Sequence, residues 1–279
     1  MTAPTVLVAQ ISDLHIKRPG VLAYGKVDTA AALMRCVAQL NRLRPRPQIV
    51  VVSGDLVDAA AADEYEHLTR LLAPLEIPIA VIPGNHDARA LVRAQFPAQP
   101  YAQGTGALNL LLTVGPLDLV LIDSSVPGAP HGVLDGDTLR WLDATLSMST
   151  ARPALLFLHH PPFVTGIKHM DRQNLRNADD LVPLLKRHPR VRLIAAGHVH
   201  RTTLTMFAGI AATICPAPNH TVALDLEERY PPSLMIEPPA FHLHAWFAGR
   251  EYGELVTHVV PIGDFSGPHP FFDAQGRQL

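Results

Sequence analysis

Through its first two thirds the chain alternates short, continuous apolar runs with longer amphipathic stretches. Val6–Ile11 is wholly uncharged and mostly apolar, and it stops at polar residues. Residues 28–43 carry apolar side chains at Ala32, Leu33, Cys36, Val37 and Leu40, the three-and-four spacing of one helix face. The pattern then predicts a strand over 48–52, a helix over 63–72, a strand over 77–82 and a strand over Leu117–Ile122. It continues with a helix over 138–146, a strand over Ala154–Leu158, a helix through 181–186 and a strand over Val191–Ala196. Apolar runs this short and this unbroken suit strands buried on both faces, so the pattern predicts an α/β fold with helices covering the sheets.

After about Arg201 the texture changes. Residues 202–214 predict a hairpin turning at Ala208-Gly209. A proline-dense stretch follows over 216–239, then strand candidates over 241–247 and 255–260 and an irregular tail over 263–279. Proline supplies 26 of 279 residues, many of them here, which favours ordered extended connections over helix. The organisation expected is a catalytic core over residues 1–201 and a C-terminal part over 202–279. That part has three open roles: completing the layers, capping the site or making an oligomer contact. We expect a homo-oligomer on this basis.

Composition narrows the class. Hydrophobic residues are 48% and charged residues 17%, which describes a core-forming globular chain. The net charge of -2 offers no basic surface for a nucleic-acid polymer. No apolar stretch approaches the roughly 20 residues that span a bilayer, and the N-terminus lacks the build of a signal peptide, so a cytoplasmic location without membrane association is expected. Cys36 and Cys215 are too few for a disulfide framework and are expected to be reduced, buried thiols.

Candidate chemistry lies where the apolar runs end. Asp13-Leu14-His15, Gly54-Asp55-Leu56-Val57-Asp58, Gly84-Asn85-His86-Asp87, His159-His160-Pro161 and Gly197-His198-Val199-His200 each follow a predicted strand. Ligands bind at the carboxyl ends of strands in open α/β sheets, so five such ends would meet at one crevice. In extended backbone, residues two apart point the same way, which would aim Asp13 with His15 and His198 with His200 at one site. Glycines before Asp55, Asn85 and His198 are expected to allow tight turns. Imidazole and carboxylate donors without cysteine suit Zn, Fe, Mn or Co in an open site. Asp55, central in the motif order, is placed to bridge two ions, and such a pair can clamp a phosphoryl group and generate hydroxide near neutral pH.

In content and order these motifs resemble the calcineurin-like metallophosphoesterases, over residues 13 to 200. Within that superfamily the chain is most similar to class III cyclic-nucleotide phosphodiesterases and glycerophosphodiesterases. Its length, its His-His-Pro-Pro run and its later Glu-Pro-Pro-Ala-Phe-His-Leu-His segment favour the glycerophosphodiesterase-like branch. The resemblance implies a four-layer αββα sandwich with two mixed sheets. It implies two divalent or trivalent ions (Mn, Fe, Zn or Co), the first held by Asp13, His15, Asp55 and His200 and the second by Asp55, Asn85, His159 and His198. Catalysis would rest on Asp55 and on His86, which would steady the phosphate and protonate the leaving oxygen. Asp58 would orient a ligand. Asn85, His86 and His160 are grouped as substrate-binding, although His160 can equally be a buried histidine supporting a ligand. The implied reaction is hydrolysis of a small phosphodiester, a 3′,5′-cyclic nucleotide or a glycerophosphodiester, by attack of metal-bound hydroxide. The alternatives are a phosphomonoesterase or nuclease on the same scaffold, and a non-catalytic binding scaffold. The last fits poorly, because no ligand position of the family pattern is missing.

Other residues receive plainer readings. Asp87 is expected to cap the following helix. His242 and His244 share a strand face that is expected to be solvated or at an interface. His67, His131, His169, His188, His258 and His269 are expected at the surface or in loops, as are Lys17, Arg18 and Tyr24, for which substrate contact is the alternative because they follow the first ligand motif. His220, in Pro218-Asn219-His220, lies in a segment that similar phosphodiesterases place near the site.

Overall fold

The structure is a computed structural model, described for residues 3–149, 151–249 and 254–279. In chain order its elements are β1 (Val6–Ile11), α1 (Thr29–Arg42), β2 (Ile49–Ser53), α2 (Ala62–Leu72), β3 (Ile79–Ile82), α3 (Arg89–Gln95), β4 (Leu110–Val114), β5 (Leu117–Ile122), α4 (Gly136–Ser147), β6 (Ala154–Leu158), α5 (Lys168–Asp171), α6 (Ala178–Arg187), β7 (Val191–Ala196), β8 (Thr203–Phe207), β9 (Ile210–Ile214), β10 (Thr221–Val222), β11 (Leu234–Met235), β12 (Ala240–Trp246) and β13 (Leu255–Pro261). The strands build a five-stranded sheet, ordered β13-β12-β1-β2-β3, and a six-stranded sheet, ordered β4-β5-β6-β7-β9-β8. The first is parallel through β1, β2 and β3, with β12 and β13 added antiparallel. The second is parallel through β5, β6, β7 and β9, with β4 and β8 antiparallel at its edges. A small β10–β11 ladder stands apart.

Side-chain alternation along the strands produces the layers. On β5, Leu119 and Leu121 join one core with β1 and β2, while Val120 and Ile122 join a second core. The second core is closed from outside by Leu142 and Leu146 of α4 and by Leu181, Leu184 and Leu185 of α6. On the first sheet, α1 presents Leu33, Cys36, Val37 and Leu40 and α2 presents Tyr65, Leu68 and Leu72. The result is an α/β sandwich of two mixed sheets flanked by helices. The helix starts are chemically marked, since Asp28 accepts from the Ala31 amide at 2.9 Å and Asp135 from the Thr138 amide at 2.8 Å. At the β8–β9 turn, Ala208 and Gly209 both have positive φ, 51° and 83°, as a two-residue turn matched to strand twist requires. Both cysteines are buried and free.

One expectation is overturned. His242 and His244 do not face solvent or an interface, since they are 0% and 1% exposed. The reason is topological: β12 pairs with both β1 and β13, so it is an interior strand. The His244 ring packs edge-on to Phe157 of the other sheet, with ring centres 5.9 Å apart. Gln10 donates through Nε2 to Ser53 Oγ and the Ala196 carbonyl, which leaves its Oε1 to accept from His244 Nε2 at 3.2 Å. His242 has no partner for either ring nitrogen among the described residues.

Candidate metal centre

The carboxyl ends of β1, β2, β3, β6 and β7 converge, and each delivers one motif. Asp13, His15, Asp55, His198 and His200 all have positive φ, between 46° and 73°. Such backbone costs about 1–3 kcal/mol per non-glycine residue and is held only where surrounding structure enforces it. Asp13 with His15 and His198 with His200 do share a site, but through these left-handed turns and not through extended backbone. The glycines also serve differently from expectation. Only Gly54 has a positive φ among the three, and Gly84 and Gly197 matter for close approach. A Cβ at Gly84 would overlap the Asp55 carboxylate, and one at Gly197 would overlap Ser12 Oγ. Gly84→Ala should therefore destabilise the protein by about 1–3 kcal/mol and reduce bound metal. Calorimetry with metal analysis checks this, and unchanged stability with full metal content would refute it.

Asp55 stands at the centre. Its Oδ1 accepts from the His86 amide at 2.9 Å. Its Oδ2 lies 3.3 Å from His159 Nε2 and 3.5 Å from His15 Nε2, so one oxygen faces two imidazoles on opposite sides. On one side, Asp13 Oδ1 is 3.4 Å from His200 Nε2, and the Nε2 atoms of His15 and His200 are 3.2 Å apart. On the other, His159 Nε2 is 3.2 Å from Asn85 Oδ1, and its ring lies 5.2 Å from that of His198.

The outer hydrogen bonds fix which nitrogens are free. His159 Nδ1 lies 2.9 Å from the Ser53 carbonyl and His200 Nδ1 lies 3.2 Å from the His220 carbonyl, so both donate there and keep lone pairs on Nε2. His15 Nδ1 faces Asp58 Oδ1 at 3.2 Å. The His15 and His200 lone pairs thus point at one another and at carboxylates. That arrangement is unfavourable with nothing between, and favourable around a cation. The buried Nε2 of His198 also lacks a partner. Four overlapping groups of donor atoms lie within 4.8 Å of one another: Asp13-His15-His200, His15-Asp55-His86, Asp13-Asp55-His159 and His159-His160-His198. This donor set fits a binuclear centre of divalent ions.

Electrostatics agree. Burial opposes the charge on Asp55, but in the metal-free site a protonated His159, its imidazole raised against burial to about 9 by the charges of Asp55 and Asp13, outweighs it and holds the carboxyl well below its usual range; a cation at Nε2 would take the place of that proton. Burial, with smaller repulsion from neighbouring histidines, pushes His198 and His200 well below the usual imidazole value, so both are neutral, as ligands must be. Asp58 is held low by the hydrogen bond from His15 and by Lys17, whose Nζ lies at 2.5 Å.

A cavity of about 300 Å³ opens over these atoms. Asp55, Asn85, His86, His198 and His200 line its floor, while His169, Met170 and Gln173 of the α5 region and Pro232, Ser233 and Leu234 of the β11 region form the far wall. His86 Nδ1 lies 2.7 Å from the Asp58 carbonyl, which leaves Nε2 for the cavity. His220 lines the cavity too, with its ring 4.6 Å from that of His200. Its neighbour Asn219 donates to the carbonyls of Asp13 and Leu14, each at 2.9 Å, tying this loop to the first motif.

Two readings need correction. His160 is fully buried behind His159 and His198, with Nδ1 2.8 Å from Ser124 Oγ, and it does not line the cavity, so its position supports a ligand's neighbour and not a substrate contact. Asp87 does not cap α3, where Ala88 is the cap residue and no side chain bonds there. Instead it accepts from the amides of Leu56 and Gly84 and from Tyr65 Oη, pinning two metal-site loops together, and burial lifts its carboxyl to about 6. Tyr24 is an exposed loop residue as expected, and it and His169 also line the cavity. The wall at Gln173 carried no sequence signal, and that at Ser233 none beyond the proline-dense stretch over 216–239.

Residues 6–202 match the family model of the calcineurin-like phosphoesterases. The chain is a calcineurin-like metallophosphoesterase. Among its relatives within this family, a probable glycerophosphodiester phosphodiesterase from Arcobacter nitrofigilis is 38% identical over 275 residues, 98% of this chain and 100% of that one. A 3′,5′-cyclic adenosine monophosphate phosphodiesterase from Pseudomonas aeruginosa is 35% identical over 201 residues, 72% of this chain and 71% of that one. A dimetal phosphatase from Danio rerio has the same fold, with a TM-score of 0.68 at 17% identity, covering 94% of this metallophosphoesterase and 98% of that chain.

Proposed function

We propose that this metallophosphoesterase hydrolyses small phosphodiesters at a two-metal centre. The observation that carries this is the placement of Asp55 Oδ2 between the His15 and His159 nitrogens, at the floor of a cavity with no Lys or Arg in its lining. In this reading Asp13, His15, Asp55 and His200 hold one ion, and Asp55, Asn85, His159 and His198 hold the other. Two ions bound there supply Lewis-acid polarisation of the phosphoryl oxygens and a nucleophile at neutral pH. The protein's own groups do the rest. Asp58 keeps His15 in the tautomer that frees Nε2, and the Ser53 carbonyl does the same for His159. His86, held by the Asp58 carbonyl, presents Nε2 to the phosphoryl group and, when protonated, delivers a proton to the departing alkoxide.

A diester carries one negative charge and a monoester two, so a lining without cationic side chains favours the diester. The glycerophosphodiesterase relative aligns along the full chain and the cyclic-nucleotide relative along about two thirds, which favours a glycerophosphodiester over a cyclic nucleotide as substrate. The small cavity and net charge of -2 favour small substrates over a nucleic-acid polymer. No helix among the described residues is long and apolar enough to cross a membrane, and we place the enzyme in the cytoplasm.

The test is a panel of bis(p-nitrophenyl) phosphate, p-nitrophenyl phosphate, cyclic AMP and glycerophosphoethanolamine, offered to protein reconstituted with Mn, Co, Fe or Zn. We expect diester turnover that chelator abolishes and metal restores, with glycerophosphoethanolamine preferred. Faster turnover of the monoester would overturn the reading. His86→Ala should lower kcat on an unactivated diester about 10²-fold, and less on bis(p-nitrophenyl) phosphate, whose leaving group needs no proton. Equal losses on both would remove His86 from proton delivery.

A further inference from the structure

We infer that His160 is a metal donor, and that His159, His160 and His198 form a carboxylate-free zinc site beside the second ion position, sharing two of its ligands. Of the four groups of donor atoms at the centre, three contain a carboxylate, and His159-His160-His198 contains imidazoles alone. The rings are mutually close, with centres 4.9 Å apart for His159 and His160, 4.8 Å for His160 and His198, and 5.2 Å for His159 and His198. His160 is 0% exposed, and its Nε2 has no hydrogen-bond partner among the described residues. The buried Nε2 of His198 lacks one too. Buried polar nitrogens left unpaired are unfavourable, and a cation held between two such lone pairs satisfies both.

The surroundings hold the His160 ring as a ligand is held. Its Nδ1 lies 2.8 Å from Ser124 Oγ, and the same oxygen accepts from the His160 amide at 3.2 Å. A hydroxyl has two lone pairs, so it can take both protons, which leaves Nε2 bare in the manner of metal-bound histidines anchored through their other nitrogen. A Cβ at Gly132 would overlap the His160 ring, so that loop packs directly on the imidazole and confines it. His159 donates through Nδ1 to the Ser53 carbonyl, so Nε2 is the atom it offers. The three donors lie within 4.8 Å of one another. Even at that limit each is about 2.8 Å from their common centre, so inward shifts of less than about 1 Å reach the zinc–nitrogen bond length of about 2.0–2.1 Å. Three neutral imidazoles with a fourth position for water suit zinc, whereas manganese favours carboxylate oxygen. His159 Nε2 has one lone pair and also faces Asp55 Oδ2, so the two positions exclude one another. Manganese sits against Asp55 and Asn85, and zinc is drawn inward to His160.

That His159 and His198 are ligands rests on the two-metal reading; that His160 is one does not. The test is X-ray absorption at the zinc edge, on manganese-loaded protein given one zinc per chain, with zinc and manganese also titrated calorimetrically into the metal-free wild type and His160→Asn. Each carboxylate-containing ion position offers two imidazoles, His15 with His200 or His159 with His198, so three imidazoles per zinc mark the inferred site. We expect three in the wild type and two in His160→Asn. The substitution keeps a polar group beside Ser124 and removes Nε2, and it should weaken zinc binding at least about 10-fold and manganese binding less than about threefold. Two imidazoles per zinc in the wild type, or equal losses of zinc and manganese affinity in a folded variant, would overturn the role of His160 and leave the two-metal centre standing. A wild type that binds neither metal would overturn both. The wild-type spectrum decides even where the variant does not fold.

Discussion

Asp55→Asn is expected to lower diester turnover by at least about 10³-fold, roughly 4 kcal/mol of transition-state stabilisation, without unfolding the protein. The substitution keeps the shape of the side chain. The amide oxygen can still accept from the His86 amide, as Asp55 Oδ1 does at 2.9 Å. What changes is the second terminal atom. An NH₂ then occupies the place where Oδ2 now faces both His15 and His159, and an amide nitrogen has no lone pair to offer a cation. Stability of the metal-free protein should fall only modestly, because the variant loses the attraction to His159, His86 and His15 that holds the Asp55 carboxyl well below its usual range, but also the Asp55 charge that adds to the burial raising the Asp13 carboxyl. Removing one of two like charges relieves that repulsion. The diagnostic readout is Tm with and without metal. Wild type should gain thermal stability on adding Mn or Co, and the variant should lose most of that gain. A variant that retains both the metal-induced Tm rise and turnover would remove Asp55 from the bridging position.

This site was legible in the sequence because it is built from strand ends. A buried parallel strand is a continuous apolar run, so the residue where polarity resumes marks the carboxyl end where ligands gather. Asp13, Asp55, Asn85, His159 and His198 were found that way, and the structure brings them together. What depended on tertiary pairing was not legible. β4, Leu-Leu-Leu-Thr-Val, forms only by pairing with β5, and the α5 region forms the cavity wall only by meeting the β11 region across it. Asp87 shows the same limit in one residue. Its position before a helix suggested a cap, whereas its carboxylate turns back to bond the Leu56 and Gly84 amides. Local spacing describes what a side chain can reach along its own segment, and here the stronger partners came from another strand end.

His242 is the sharpest such case, and it leads to an expected acid sensitivity. Interior placement on β12 leaves both ring nitrogens without partners, and burial pushes the imidazole down to about 4. In the unfolded chain the ring titrates near its ordinary value of about 6.5. The unfolded state therefore binds a proton between about pH 6.5 and 4 and the folded state does not, so stability falls with falling pH through that window. The full contribution is present above about pH 6.5, and close to 3 kcal/mol is lost by about pH 4. His244, also pushed well down by burial, acts in the same direction. Metal release in acid adds its own loss, so the informative quantity is a difference between proteins. His242→Leu removes the proton site and two unpartnered nitrogens at nearly constant volume, and it should be close to neutral at pH 7.5. At pH 5 it should be more stable than wild type by about 2 kcal/mol, read from urea midpoints under the same metal conditions. Parallel pH profiles for the two proteins would mean that the buried ring finds a proton partner inside the fold and that the acid sensitivity arises elsewhere.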